Sequence, residues 1–158
     1  MKIRHPHPGD WDQVLILAGR MHEESWFADF DFDTGKVREV FDMILRKPDW
    51  LGLVAENGKG EIVGFFAAAT VEHFFGRDTY ACDLVNYVDH AYRNGLVSRR
   101  FIRVYETWCQ LRGVRESHLG VSTGREPDRI IAYYERLGYH SPAIGLRKKC
   151  VGTPPPPE

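Results

Sequence analysis

Residues 88–100 have the sequence VDHAYRNGLVSRR and join a predicted strand to a predicted helix. Asn94 and Gly95 are turn residues, and the helix after them begins with unpaired N–H groups at the positive end of its dipole. This strand–turn–helix junction predicts an anion site. Arg99 and Arg103 lie one helical turn apart and can add charged hydrogen bonds to it. A purely solvated role for both arginines stays open.

The helix after the junction is predicted over residues 97–112, with Gly113 as its end. Its apolar stripe steps by three and four residues through Val97, Phe101, Val104, Trp108 and Leu111. The strand before the junction is predicted over residues 80–88. Alternation places Cys82, Leu84, Asn86 and Val88 on one face and Asp83, Val85 and Tyr87 on the other. Cys82 and Cys109 are interpreted as packing residues.

Periodicity elsewhere predicts helices and strands in alternating groups. Two amphipathic helices come first, one from the N-cap Asp10 to Glu24 and one from Asp33 or Thr34 to Lys47. A hairpin follows, with strands at residues 50–56 and 62–71. After the junction helix come a strand at 117–122, a helix at 128–137 and a strand at 143–151. One further strand is predicted at the N-terminus, at residues 2–5. The order predicts an α/β fold with a mixed, mostly antiparallel central sheet of 6–7 strands and helices on both faces, in which residues 80–122 form a parallel crossover.

Composition limits the classes of protein that fit. The 158 residues, 43% of them hydrophobic, predict a single domain over 1–151 and a disordered Pro-rich tail over 152–158. A net charge of −1 argues against nucleic acid or an anionic membrane as a partner. Three separated cysteines without a C-x-x-C pair argue against a disulfide framework and a metal module. Together with the lack of a long apolar run, they predict a cytoplasmic protein.

A second stretch, DRIIAYYERLGY at residues 128–139, ends the later helix. Its ending Tyr134-Glu135-Arg136-Leu137-Gly138-Tyr139, together with the lead-in Val88-x-x-x-Tyr92-Arg93, resembles the GNAT family of N-acetyltransferases. The predicted element order also agrees with that family. The chain departs from the family pattern at Leu96, where glycine is usual, and at Ser98, where glycine or alanine is usual.

The resemblance implies an acyl-CoA N-acyltransferase-like fold and transfer of an acetyl group from acetyl-CoA to a primary amine within a ternary complex. It implies that the strands at 80–88 and 117–122 separate at their C-terminal ends and admit the thiol carrier between them. The cofactor-binding residues would then be Asn86, Tyr87, Val88, Arg93, Asn94, Gly95, Leu96, Val97, Ser98 and Arg99. Tyr134 would be the catalytic acid that protonates the leaving thiolate.

The attacking amine must be neutral, so a general base is also expected. The sequence leaves four candidates open, Glu72, His73, Asp83 and His90, each with a surface or capping role as the alternative.

Residues 23–33, EESWFADFDFD, combine acids with aromatics. In the family that the chain resembles, this loop borders the acceptor site, and such a wall suits a cationic amine. The alternative is that its aromatics cover the sheet while its acids face water. Phe74 and Phe75 leave the same two interpretations open.

Two other hypotheses remain beside the enzyme. A non-catalytic module of the same fold, binding an acyl-CoA or a protein partner, is favoured by the altered glycine loop. A nucleotide-binding domain ranks last, because no G-x-x-x-x-G-K-[ST] or G-x-G-x-x-G motif is present. The identity of the acceptor stays open, as does the oligomeric state, a homodimer included.

Overall fold

The computed structural model describes residues 1–93, 96–122, 127–141, 145 and 148. Within these residues one sheet has five strands in the order β1-β2-β3-β4-β5. The strands are β1 Lys2–Arg4, β2 Trp50–Glu56, β3 Ile62–Glu72, β4 Thr79–Val88 and β5 Glu116–His118. The first four pair antiparallel, whereas β4 and β5 pair parallel.

Four α-helices accompany the sheet in the described part of the chain: α1 Trp11–Glu24, α2 Thr34–Arg46, α3 Leu96–Arg112 and α4 Pro127–Glu135. Helices α1 and α2 cover one face of the sheet, where Val14, Leu17 and Phe41 pack with Val54 and Tyr87. Helix α3 covers the other face, where its apolar side chains pack against β2, β3 and β4. The predicted mixed α/β architecture with helices on both faces is therefore confirmed.

The expected 6–7 strands are not confirmed, since the described residues form five. The predicted strand at 143–151 lies outside the described residues apart from Gly145 and Lys148, and the tail at 152–158 lies wholly outside them. The predicted short strand near the N-terminus is present as β1, at the sheet edge beside β2. The strand predicted at 117–122 is shorter and ends at His118.

The sequence predicted the wrong buried residues in the second half of α3. Val97 and Phe101 are buried as expected, but the stripe continues through Tyr105 and Cys109. Leu111 is 83% exposed instead. A constant spacing of four residues therefore replaces the alternating spacing. Tyr105 can be buried in this stripe because its Oη donates to the His118 carbonyl at 3.1 Å.

The two predicted N-caps have different outcomes. Asp33 caps α2 through its Oδ1, which accepts from Lys36 N at 2.9 Å. Asp10 precedes α1 but makes no cap hydrogen bond with its side chain. Its carboxylate instead accepts two hydrogen bonds from the Arg4 guanidinium, at 2.7 and 2.8 Å. A bidentate ion pair is stronger than a cap, so Asp10 ties β1 to the start of α1.

Gly52 allows α2 to lie directly on β2. A Cβ at this position would overlap the Ile44 side chain of α2 and touch the Pro6 ring at 3.1 Å. The sheet face under α2 therefore requires a residue without a side chain here.

Candidate active site

The strands β4 and β5 separate soon after they begin to pair. Their parallel register ends with Cys82 opposite His118. Beyond that point a cavity of about 270 Å³ lies between residues 83–86 of β4 and residues 120–122 after β5. This cavity, which we call the notch, lies between the two strands that the family resemblance implied would separate. The early end of β5 is what opens it.

A β-bulge in β4 sets which side chains enter the notch. Ala67 pairs with Val85 and Ala68 with Asp83, so Leu84 is an extra residue without a partner. Paired residues lie on the same face of a sheet, and Ala68 belongs to the core under α3. Asp83 therefore lies on the α3 face, as does Asn86.

The predicted alternation in β4 is wrong on the N-terminal side of this bulge. Cys82 pairs with Ala69 and lies on the face opposite to Asn86, not on the same one. Strict alternation cannot reveal a bulge, because one inserted residue exchanges the faces of everything before it. The bulge is the reason why two polar side chains of β4, three residues apart, meet in one place.

Asp83 links the two sides of the notch. Its Oδ1 accepts a hydrogen bond of 2.7 Å from Gly120 N. Burial raises the pKa of the Asp83 carboxyl to about 6. The hydrogen bond from Gly120 N has the smaller, opposite effect and lowers this pKa. A carboxylate with this pKa is ionised at neutral pH and accepts a proton readily.

Tyr134 reaches the notch from α4. It is buried, and its Oη accepts a hydrogen bond of 3.4 Å from Asn86 Nδ2. Burial raises the pKa of the Tyr134 hydroxyl to about 12, and the nearby Asp83 carboxylate raises it further, whereas the Asn86 amide lowers it. The phenol is thus protonated at neutral pH and able to donate a proton.

Of the four candidate bases, only Asp83 lines the notch. Glu72 ends β3 and pairs with Arg77 at 3.0 Å. His73 lies in the exposed hairpin turn, where its ring nitrogen accepts from Phe75 N at 3.3 Å. His90 is exposed in a single 3-10 turn after β4. The role of general base stays a prediction, but the geometry favours Asp83 for it.

The residues predicted to bind the cofactor on β4 turn their side chains in different directions. Tyr87 lies on the opposite face, where its Oη donates to Glu24 Oε1 at 3.0 Å. Val88 packs in the core under α3. Only the carboxamide of Asn86 faces the notch, so Tyr87 and Val88 can contribute there only through their main chain.

The predicted anion loop is described in part. Asn94 and Gly95 lie outside the described residues. Leu96 begins α3 and is 64% exposed, and Val97 is buried in the core. Ser98 Oγ accepts a hydrogen bond of 2.9 Å from Asn86 Nδ2. Arg99 is exposed on the same helix.

Arg93, also predicted as a cofactor ligand, forms hydrogen bonds and a ring contact with other residues of the protein. Its Nε donates to the Val88 carbonyl at 2.7 Å, and its Nη2 pairs with Glu24 Oε2 at 2.6 Å. The guanidinium also lies over the Tyr87 ring, 5.1 Å from its centroid. Arg93 therefore ties the start of the predicted loop to the C-terminal end of α1, and a contact with phosphate stays a prediction.

The acidic aromatic loop after α1 closes the notch from one side. Trp26 N donates to the Ser122 carbonyl at 3.2 Å, which holds the loop against the segment after β5. A second cavity of about 410 Å³ lies on the α1–α2 face, lined among others by Phe30, Asp31 and Asp33. Phe27, Leu84 and Val85 line both cavities, so the notch and this cavity, which we call the α1–α2 cavity, adjoin.

Sequence reasoning missed three contributors to the notch. Asn86 was predicted as a cofactor-binding residue without a role for its side chain, and Gly120 and Ser122 were assigned to a strand. A bulge and an early strand end leave no periodic signal in a single sequence, so nothing in the sequence pointed to these roles.

The described residues contain no group of three or more His, Cys, Asp or Glu side chains arranged to hold a metal ion. In that part of the chain no helix has both the length and the apolar character needed to cross a bilayer.

Comparison with known proteins agrees with this geometry. The model of the Acetyltransferase (GNAT) family matches residues 12–139. A search of curated protein sequences gives no significant match. Among solved structures, glucosamine-6-phosphate N-acetyltransferase from Arabidopsis thaliana is similar, with a TM-score of 0.73 at 17% identity over 94% of this chain and 97% of that one.

Two further solved structures share the fold. One is a ribosomal-protein-alanine N-acetyltransferase from Brucella melitensis biovar Abortus 2308, with a TM-score of 0.69 at 16% identity over 95% of this chain and 100% of that one. The other is an aminoglycoside acetyltransferase from an uncultured soil metagenomic sample, with a TM-score of 0.69 at 19% identity over 94% and 97%. At these identities the likeness establishes the fold alone.

Proposed function

Because this chain belongs to the GNAT family of acetyltransferases, we propose that it transfers an acetyl group from acetyl-CoA to a primary amine by direct attack in a ternary complex. One observation carries the proposal. The notch, which holds a candidate base and a candidate acid, adjoins a separate cavity on the other face of the sheet through Phe27, Leu84 and Val85. An acyl donor in the notch and an amine in the second cavity can therefore meet at the bulge, because each enters from its own face of the sheet.

The residues around the notch fit a thioester of a long, amide-containing thiol. After the bulge, β4 has no partner strand on the notch side within the described residues, so the main chain of Asn86 and the N–H of Val88, whose carbonyl accepts from Arg93, are available to pair with an inserted carrier. The N-terminus of α3 and Arg99 suit its phosphates. Acetyl-CoA supplies the activated acyl group when bound.

The protein's own groups move the protons of the reaction. As the amine nitrogen bonds to the carbonyl carbon, Asp83 takes a proton from the nitrogen. As the carbon–sulfur bond breaks, Tyr134 gives its proton to the leaving sulfur and later recovers one from solvent. A main-chain N–H near Val88 stabilises the negative charge that develops on the carbonyl oxygen, a contribution of about 3 kcal/mol per donor. The products are an amide and a free thiol.

The acceptor in this proposal is a cationic amine. This amine would bind in the α1–α2 cavity, where Asp31 and Asp33 lie together with Phe27, Phe30 and Phe32, because aromatic faces and carboxylates both attract cations. Lys36 also lines it, but Nζ of Lys36 pairs with Glu39 at 2.9 Å. Cys82 and Cys109 are free thiols, which supports the cytoplasm as the compartment.

The test of the proposed function combines binding with turnover. We expect isothermal titration to give a saturable signal for acetyl-CoA, weakened by Arg99→Ser and unchanged by Arg46→Ser, an exposed arginine of α2. Intact-mass analysis of an amine panel should then show the gain of one acetyl group. Lack of binding at millimolar acetyl-CoA would refute the enzyme, and binding without turnover would favour the non-catalytic module.

The acceptor class has a test of its own. Cadaverine and pentylamine have the same chain length but differ by one amino group, so their KM values compare a second charge directly. We expect the lower KM for cadaverine, and Asp31→Asn should raise that KM while leaving pentylamine unchanged. Asp12→Asn, at an exposed position of α1, is the matched control. Equal KM values for both amines would refute a cationic acceptor.

A further inference from the structure

Asn86 makes contacts that the proposed chemistry has not yet used. Its Nδ2 donates to Ser98 Oγ at 2.9 Å and to Tyr134 Oη at 3.4 Å. These two hydroxyls come from α3 and α4, so one carboxamide on β4 joins both helices at the notch. The bulge at Leu84 is what brings this side chain to that face.

The direction of the Tyr134 hydrogen bond matters for proton donation. An amide N–H can only donate, so the Tyr134 oxygen accepts and the Tyr134 proton is not used by Asn86. Asp83 also lines the notch, and its negative charge raises the pKa of the Tyr134 hydroxyl, which keeps the phenol protonated. A donor fixed on the Tyr134 oxygen restricts the orientation of the hydroxyl and stabilises the negative charge left when the proton departs.

The other end of the carboxamide is unsatisfied. Asn86 Oδ1 is buried and has no hydrogen-bond partner. Buried acceptors without a partner are rare in folded proteins and mark places where a ligand donor or ordered water completes the bonding. Because Asn86 lines the notch, a small shift of its carboxamide would let a donor on an inserted carrier complete the bonding of this oxygen.

We infer that Asn86 is a positioning residue for Tyr134, its amide N–H holding the phenol for proton donation while its Oδ1 accepts an N–H from the acyl carrier. The inference rests on the proposed function. It assigns two separable effects to one side chain: the N–H affects turnover through Tyr134, and the carbonyl oxygen affects carrier binding without Tyr134.

A double-mutant cycle separates these effects. In the otherwise unmodified chain, Asn86→Ala should lower kcat about tenfold, the equivalent of one lost hydrogen bond, and raise the KM of acetyl-CoA. In a Tyr134→Phe background the same change should leave kcat almost unaltered, because no phenol remains to be held, but it should still raise KM. A merely structural role would lower kcat equally in both backgrounds and would overturn the inference.

A second pair of variants keeps the test decisive if the alanine variant fails to fold. Asn86→Asp preserves side-chain volume but replaces the donor by an acceptor, which takes the hydrogen bond of the Tyr134 hydroxyl and keeps its proton from the leaving sulfur. Asn57→Asp is its matched control, since Asn57 Nδ2 donates to another tyrosine hydroxyl, that of Tyr92, at 3.2 Å outside the notch. We expect kcat to fall for the first variant only.

The outcomes distinguish this inference from the proposed function. Absence of turnover in the unmodified chain would overturn the proposed function and the inference together. Normal turnover with an unchanged kcat in Asn86→Asp, or an equal loss in Asn57→Asp, would overturn the inference alone.

Discussion

Replacing Asp83 by asparagine should make the protein more stable at alkaline pH while removing the proposed base. Burial raises the pKa of this carboxyl from its ordinary value of 3.8 to about 6. Below both values the carboxyl is protonated in the folded and the unfolded chain, and it costs nothing. Between pH 3.8 and about 6 the carboxyl ionises in the unfolded chain but stays protonated in the folded one, so the free energy of unfolding falls as pH rises. Above about pH 6 it is ionised in both, and the destabilisation reaches its full size.

The size of this cost follows from the pKa difference. About two pKa units correspond to about 3 kcal/mol at pH 8, whereas roughly 1 kcal/mol is already present at pH 4.5. Asp83→Asn removes the ionisable group but keeps an oxygen that can accept from Gly120 N. The stabilising effect of the substitution should therefore be about 2 kcal/mol larger at pH 8 than at pH 4.5.

Urea unfolding of both proteins at the two pH values measures this difference. Comparing the pH values cancels any constant cost of burying the new amide, which is about 1–3 kcal/mol if it finds no partner. Asp12→Asn, at an exposed position, controls for the chemical change itself. An effect of Asp83→Asn that is the same at pH 4.5 and pH 8 would show that the folded protein does not raise the pKa of Asp83, and the argument for this base would fail.

Three further predictions follow from the same structure. The value of kcat/KM should fall as pH drops through about 6, because protonated Asp83 cannot accept the amine proton, and a pH–rate profile without this limb would contradict that role. Tyr134→Phe should lower kcat about 100-fold in steady-state assays with little change in the calorimetric Kd of acetyl-CoA, and an unchanged kcat would remove Tyr134 from catalysis. Gly52→Ala should lower the free energy of unfolding by about 1–3 kcal/mol through overlap with Ile44, whereas Gly58→Ala, where a Cβ meets nothing within 4 Å, should not; equal effects would contradict the close packing of α2.

The sequence predicted the elements well wherever one periodic pattern was unbroken. The strand at residues 50–56 has the predicted bounds, and the helix predicted over 97–112 differs by one residue at its start. Gly113 ends that helix with a φ of +66°, a conformation in which glycine is favoured, as the sequence indicated. Local preference and burial point the same way in these segments, so the pattern is sufficient.

The candidate site was harder to predict because it depends on interruptions. A bulge at Leu84 and the end of β5 at His118 both break a pattern, and tertiary contacts decide where such breaks fall. Tyr134 could be proposed only through the family resemblance, since a tyrosine at helical spacing is ordinarily a core residue. The contact between Arg93 and Glu24 spans 69 residues, a separation over which sequence periodicity carries no information.

The same burial suits Asp83 and Tyr134 to opposite tasks. Burial raises the pKa of both groups, to about 6 for the carboxyl and about 12 for the phenol. A carboxyl that starts near 4 remains ionised at neutral pH after this rise, whereas a phenol that starts at 10 only becomes harder to ionise. In the described part of the chain two titratable groups line the notch, the proposed base Asp83 and the proposed acid Tyr134, and the two hydrogen bonds that oppose burial, from Gly120 N and Asn86 Nδ2, limit how far each pKa rises.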